Sequence, residues 1–374
     1  MYRSFHKRFQ LLLLIILLAA CSGGGGGNGG TSQVDTQLQQ ALDSAVSDGA
    51  PGAAAFVVLP SGRELARASG YASVIPYVPM DPDRIFRIAS NTKTFTAAGV
   101  MLLRDDRLLP SIDVPIRNYV PELRIPRDDV ITIRMLLGHT SGMADHENDP
   151  TPFQDLSAKD RFRVWKPEEL VPFAIGYQLA HPEIFNYAPG TQYRYSNTGY
   201  VVLAMIIERV TGKSYRDYIT SRILVPFGLT HTYTANGRYI PDPYAHGYAV
   251  NGDGTLEDWS EIDESWDLGA GGMMSTVRDL ARWMTLLVGG SVVSAESLKE
   301  MMTKGPNGSY GLGMAYTTGL GWGHGGATSG YRSAVYYDPE TRFACSGFTT
   351  AEPPSKPMNT LLIGLQSLKR DFVY

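Results

Sequence analysis

Two residues three apart carry the first chemical signal in this chain of 374 residues. Ser90 and Lys93 stand in Phe86-Arg87-Ile88-Ala89-Ser90-Asn91-Thr92-Lys93-Thr94-Phe95, where an apolar lead-in reaches a small residue and a serine then opens a helix. On a helix that spacing puts the amine one turn on and on the same face, within reach of the hydroxyl. Free N–H groups at the helix start lie beside the same oxygen. A hydroxyl attacks only when a neighbouring base takes its proton, and a lysine does so once its pKa falls well below about 10.4. By itself the tetrapeptide fits a helix cap with an exposed lysine equally well, and Ser4-Phe5-His6-Lys7 repeats the spacing.

Two further signals follow in order. Tyr195-Ser196-Asn197 precedes an apolar helical run and is the one Y-x-N of the chain. His324-Gly325-Gly326 is the one H-x-G, and it stands in a glycine-rich strand whose backbone a substrate could approach closely. In this order the three resemble the motifs of the penicillin-binding-protein-like serine hydrolases, which include class C β-lactamases, D-Ala-D-Ala carboxypeptidases, D-aminopeptidases and related esterases. The resemblance extends through Ile131-Thr132-Ile133-Arg134-Met135-Leu136-Leu137-Gly138-His139-Thr140-Ser141-Gly142, Pro226-Phe227-Gly228-Leu229 with Thr232, and Gly271-Gly272-Met273-Met274-Ser275-Thr276 ahead of Asp279. It covers roughly residues 40–350.

The resemblance implies roles position by position. Ser90 is the nucleophile that forms an acyl-enzyme, Lys93 holds or removes its proton, and Tyr195 passes that proton to the leaving group. Asn197, His324 and Gly326 contact the substrate, and the backbone N–H groups of Ser90 and Ala327 form the oxyanion hole. His139 belongs to a structural segment, and Trp322 fits a pocket wall or the core. No cofactor and no metal is implied, and no H-E-x-x-H or Cys/His cluster occurs. No G-x-S-x-G elbow occurs either, which argues against an α/β-hydrolase.

The third motif departs from the family pattern. Class C β-lactamases carry a lysine where His324 stands and a hydroxyl residue where Gly325 stands. Ala327 replaces a second hydroxyl position, and strand alternation turns Thr328 to the other face. The expected activity is therefore cleavage of amide or ester bonds in cell-envelope D-amino-acid peptides, amides or esters. D-Ala-D-Ala carboxypeptidase and class C-like β-lactamase are the alternatives within the family. A non-hydrolytic β-lactam- or peptidoglycan-binding sensor is the alternative of another class.

The elements that must position these residues are legible from periodicity. Val34, Leu38, Ala41, Leu42 and Ala45 predict a helix, and 53–59 with 63–71 a strand hairpin about the turn Pro60-Ser61-Gly62. Helical pattern recurs at 97–103, 131–137, 168–177, 198–210, 277–288 and 361–368, and strand pattern at 310–316, 330–337 and 341–349. The class is α/β (α+β), an antiparallel sheet flanked by helices, and the resemblance makes it β-lactamase/transpeptidase-like. A mostly helical lobe at about 105–265 is inserted in a hydrolase domain of residues 34–374.

Arg3, Lys7 and Arg8 followed by the apolar run Leu11 to Leu18 read as an export signal over residues 1–20, too short for the roughly 20 residues of a membrane span. Leu18-Ala19-Ala20-Cys21 resembles a lipoprotein signal, in which Cys21 takes the lipid and heads the mature chain. Residues 21–33 are then a lipidated cysteine and a glycine-rich tether reaching roughly 20 Å. The expected location is the cell envelope, lipid-anchored through Cys21 in the outer membrane and facing the periplasm. Its partners are a small-molecule or peptide substrate and the membrane. Losing residues 1–20 takes the formal charge from −4 to −7, and no basic block remains for nucleic acid. Cys345, in Phe343-Ala344-Cys345, reads as a small buried hydrophobe.

Overall fold

In the computed structural model, which describes residues 29–235, 237–352 and 354–373, the first apolar period becomes α1 (Gly29–Ser47). Residues 1–28, with the export signal and Cys21, lie outside the described residues. The helix begins inside the stretch expected to be tether. Val34 and Leu38 are buried against the sheet, and the helix they hold runs on upstream of them.

The strands are β1 (Gly52–Val58), β2 (Glu64–Val74), β3 (Tyr77–Pro79), β4 (Phe86–Arg87), β5 (Tyr233–Thr234), β6 (Tyr248–Val250) and β7 (Leu256–Asp258), then β8 (Met273–Ser275), β9 (Ala315–Thr317), β10 (Gly321–Thr328), β11 (Tyr331–Asp338), β12 (Phe343–Thr349) and β13 (Ala351–Glu352). Seven form one antiparallel sheet in the order β3-β2-β1-β12-β11-β10-β9. The two halves of the chain meet at β1 and β12, where Phe56 pairs Ser346. Gly52-Ala-Ala-Ala-Phe-Val-Val58 is a continuous apolar run because β1 is central and covered on both faces.

The remaining helices are α2 (Thr92–Asp105), α3 (Ile133–Leu137), α4 (Pro152–Lys159), α5 (Pro167–Ala180), α6 (Asn197–Thr211), α7 (Tyr215–Ile219), α8 (Val277–Val288), α9 (Ala295–Met301) and α10 (Lys356–Val373). On one face of the sheet α1 and α10 bury Leu38, Leu42, Leu361 and Leu365, with Cys345 among them. On the other, α2, α6 and α8 share one larger core containing Phe95, Met101, Ile206, Leu280 and Trp283. Each large apolar side chain so buried contributes about 1.5–3 kcal/mol. The inserted lobe holds α3 to α7 and also the short strands β5 to β7, and its helices share the core of α2.

The strand expected over 310–316 is not formed as such; only Ala315–Thr317 pairs with β10. Glycine decides it. A Cβ on Gly311 would fall 2.0 Å from the Met301 carbonyl, and Gly313 has φ +80° with its α-carbon against Ala97. The segment instead turns tightly against α2 and the end of α9.

Candidate active site

Ser90 sits at a corner between strand and helix. After β4, Ala89 takes φ +48°, a conformation that costs a non-glycine residue of order 1–3 kcal/mol. Ala89–Asn91 form a single 3₁₀ turn, and the α-helix begins only at Thr92. Ser90 therefore precedes the helix rather than opening it. Three contacts hold the corner. Ser333 Oγ on β11 donates to the Ile88 carbonyl at 2.9 Å, and Asn91 Nδ2 donates to that carbonyl at 2.9 Å and to Ser333 Oγ at 2.8 Å. Gly326 on β10 presses on the same turn, since a Cβ there would lie 2.5 Å from the Ile88 carbonyl.

Lys93 is fully buried and donates all three of its protons: to Ser90 Oγ at 3.0 Å, to Asn197 Oδ1 at 2.6 Å and to the Ala270 carbonyl at 2.7 Å. The rings of Tyr195 and Tyr200 flank its ammonium at 4.8 and 5.4 Å. Burial pulls its pKa down to about 8, against the opposing pull of Asp267, Glu147 and Asp145. Tyr195 donates to Ser90 Oγ at 2.8 Å, so lysine and tyrosine converge on one oxygen. Burial holds the Tyr195 hydroxyl well above its usual pKa, which keeps it a neutral phenol.

The Tyr195–Asn197 turn is held from behind. Ser196 caps α6 and donates to the Ala144 carbonyl at 3.0 Å, while its N–H donates to His139 Nδ1 at 3.1 Å. That bond fixes His139 with its proton on Nε2, facing the Tyr310 hydroxyl at 3.2 Å. Tyr310 in turn lies 3.1 Å from His324 Nε2, and His324 Nδ1 faces the Gly325 carbonyl. One set of protons satisfies the whole chain: His139 to Tyr310, Tyr310 to His324, His324 to Gly325. Both imidazoles are neutral, since burial first and Lys93 second push His139 well down and His324 to about 4.

Two of the residues expected to contact substrate sit apart from the cleft lining. His324 is buried beneath Tyr195 with both nitrogens engaged, and Gly326 is turned to the Ser90 corner; neither lines the cleft. Trp322 is buried in the core beside Tyr316. Asn197 does line the cleft, but its amide is occupied, Oδ1 by Lys93 and Nδ2 by Glu147 Oε2 at 2.7 Å. Thr328 donates to Glu264, which also pairs with buried Arg87.

The cleft of about 310 Å³ is lined by Ser90, Glu147, Asn148, Tyr195, Asn197, Asp267 and Ala327. Strand β9 accompanies β10 only to Gly323. The Tyr316 N–H is taken by the Ser309 carbonyl on the far side, so Ala315 and Thr317 face Gly323 and Gly321. Alternation then aims the N–H groups of Gly325 and Ala327 at the open edge beyond β9. An N–H there, with that of Ser90, is what a developing oxyanion needs.

Glu147, Asn148 and Asp267 were missed in the sequence. The available signal was the polar run Asp145-His146-Glu147-Asn148-Asp149 just after the segment that ends in Thr140-Ser141-Gly142. Burial, with Asp267 and Asp145 nearby, pushes Glu147 well up, and burial pushes Asp267 up to about 7.

A family model described as Beta-lactamase matches residues 34–367. Protein flp of Staphylococcus aureus is 29% identical over 255 residues, 67% of this chain and 48% of its own length. Penicillin-binding protein 4* of Bacillus subtilis is 34% identical over 185 residues, 49% of this chain and 38% of its own. The chain thus spans about half or less of the curated relatives it matches. Among solved structures, a D-stereospecific amidohydrolase from Streptomyces sp. superimposes with TM-score 0.76 at 28% identity, covering 87% of this chain and 97% of that one. D-amino acid amidase from Ochrobactrum anthropi SV3, complexed with L-phenylalanine amide, gives 0.75 at 28% identity over 90% and 99%. With the family model matching residues 34–367, most of its length, this chain belongs to the Beta-lactamase family, with the antiparallel sheet and helices of the β-lactamase/transpeptidase-like fold.

Proposed function

We propose that the protein is a serine hydrolase that cleaves amide or ester bonds through an acyl-enzyme on Ser90, and that it favours substrates without a free carboxylate at the leaving end. The neutral Lys93 amine takes the Ser90 proton as Oγ attacks the carbonyl carbon. The oxyanion is met by the N–H groups of Ser90 and Ala327. Tyr195, 2.8 Å from Ser90 Oγ, gives its proton to the leaving nitrogen or oxygen and regains one from Lys93. Water then enters, the same groups act in reverse, and the acid leaves with Ser90 restored.

One observation carries the substrate preference. Among the described residues no arginine lines the cleft, and the lysine beside Ser90 has all its protons committed. A carboxylate brought there meets no fixed cation and two acidic side chains, and desolvating an unpaired charge is costly. The D-amino acid amidase and D-stereospecific amidohydrolase neighbours support amides as the substrate class. A cell-envelope D-aminoacyl amide or ester is the reading that joins this to the export signal. The test compares kcat/KM for one D-alanyl peptide as its free acid and as its amide, in wild type and Ser90→Ala. The amide is expected to win by at least about tenfold, or 1.4 kcal/mol, and Ser90→Ala to turn over neither. Preference for the free acid overturns the substrate reading; turnover by Ser90→Ala overturns the nucleophile.

A further inference from the structure

Arg87 lies on β4 three residues before Ser90, and Glu264 stands immediately before the turn Ser265–Asp267. Both side chains are buried, with 1% and 0% of their surface exposed. The Arg87 guanidinium donates to Glu264 Oε2 at 2.8 Å and to the Ser260 and Ile262 carbonyls at 2.9 Å each. Glu264 Oε1 accepts from Thr328 Oγ1, and Thr328 adjoins Ala327 at the end of β10. Beyond Glu264 the Asp267 carbonyl gathers the N–H groups of Ala270, Gly271 and Gly272, and the Ala270 carbonyl accepts from Lys93 at 2.7 Å. One carboxylate therefore joins the strand that leads to Ser90, the segment that receives a Lys93 proton and the strand end that carries the Ala327 N–H. A buried ion pair adds little net stability, because desolvation offsets most of the attraction. What it supplies is geometry, since a planar fork against a two-oxygen acceptor fixes direction as well as distance.

We propose that Arg87, Glu264 and Thr328 are positioning residues for the oxyanion hole, which aim the Ala327 N–H at the reacting carbonyl without touching substrate. This rests on the reading of Ser90 as the nucleophile. Two backbone N–H groups stabilise an oxyanion only if they point at one spot. The Ser90 N–H is set by the corner after β4, and the Ala327 N–H by a strand edge that β9 no longer accompanies beyond Gly323. The bond from Thr328 to Glu264 ties that edge to Arg87, and so back to the Ser90 corner. The β10–β11 turn has other ties: the Gly330 carbonyl accepts from the Tyr248 N–H at 3.3 Å, and the Tyr331 hydroxyl donates to the Ala245 carbonyl at 2.8 Å. Loss of the Thr328 hydroxyl thus leaves the hairpin held and releases only the aim of Ala327.

The test reads complementarity to the transition state rather than folding. A small boronic acid forms a tetrahedral adduct on a nucleophilic serine with an oxygen in the oxyanion position, so its affinity reports the hole. Thr328→Val replaces the hydroxyl by a methyl. It is expected to lower kcat/KM for an activated ester and affinity for phenylboronic acid together, each at least about tenfold. The pH profile is expected to keep its level near pH 8, because Lys93 and its partners are untouched. Thr328→Ser is expected to restore most of both. Arg87→Lys keeps the cation and loses the fork, and is expected to lower both readouts in the same way. Wild-type values for both in either folded variant overturn the proposal. So does lost activity at unchanged boronic acid affinity, which marks a smaller folded fraction only. Should Thr328→Val fail to fold, Thr328→Ala is judged by the same two readouts. Turnover by Ser90→Ala, or a wild type that turns over the ester without binding the boronic acid, strikes the Ser90 reading and the positioning with it. A wild type that passes both checks beside an unaltered Thr328→Val strikes the positioning alone.

Discussion

Ser90 Oγ receives hydrogen bonds from both Lys93 and Tyr195, so the resting serine is held but not yet activated. Activation needs Lys93 to lose its proton, and burial has brought that step down to about pH 8. Protonated below about pH 8, the lysine cannot act as base, and above it the amine is free. We expect log kcat/KM for an uncharged ester to rise with pH and level off near pH 8. A profile flat from about pH 6 to 9 would assign proton removal to another group. In the proposed mechanism the phenolate of Tyr195 is a poor rival as first base, because burial opposes its formation.

At the scale of elements, the Ser90 corner is only as exact as the two strands that press on it. Gly326 is required there by the Ile88 carbonyl 2.5 Å from where a Cβ would be, with Ser333 Oγ at 2.5 Å and Ala89 Cβ at 3.0 Å. These neighbours are backbone and a buried, hydrogen-bonded hydroxyl, so they yield only if the turn moves. Gly326→Ala is expected to lower kcat at least about tenfold while the melting temperature falls by only a few degrees, since a small displacement at a nucleophile costs more in rate than in stability. Near-wild-type kcat in a folded Gly326→Ala protein would show that β10 does not set the position of Ser90. The edge of β10 beyond Gly323 serves the same site from the other side, as its unpaired N–H groups are free for a substrate carbonyl.

The whole molecule brings together three motifs carried by separate units: a corner before α2, the N-terminus of α6 and the β10 edge. Pairing of β1 with β12 joins the early and late parts of the chain in one sheet, with the inserted lobe between them in sequence. Among the described residues no helix is long and apolar enough to cross a membrane. We propose that Cys21 carries lipid, on the resemblance of Leu18-Ala19-Ala20-Cys21 to a lipoprotein signal. Wild type should sediment with membranes, and Cys21→Ala should be unprocessed or released without acyl chains. Soluble wild type with no lipid by mass spectrometry would refute the anchor.

The sequence by itself singled out Ser90, Lys93 and Tyr195, because they lie in short motifs whose spacing encodes local geometry, and in the fold the lysine and the tyrosine converge on the serine oxygen. It determined most of the elements too: α8 spans the expected 277–288, and α6 and β12 fall within two residues of their predicted limits. Local periodicity reports which face a segment buries, and that was sufficient there. It failed at 310–316, where the reach of Gly311 and Gly313 into distant backbone outweighed an apolar pattern. Only the tertiary structure decided what surrounds Ser90. Motif order does not tell the face of a strand from its edge, and the fold sets His324 against the Tyr310 hydroxyl. Glu147 and Asp267 lie 120 residues apart and show no mutual signal, yet burial beside Lys93 makes them the groups that set the charge of the site. Charge in a cleft is a sum over neighbours in space, and the order of residues along the chain does not contain it.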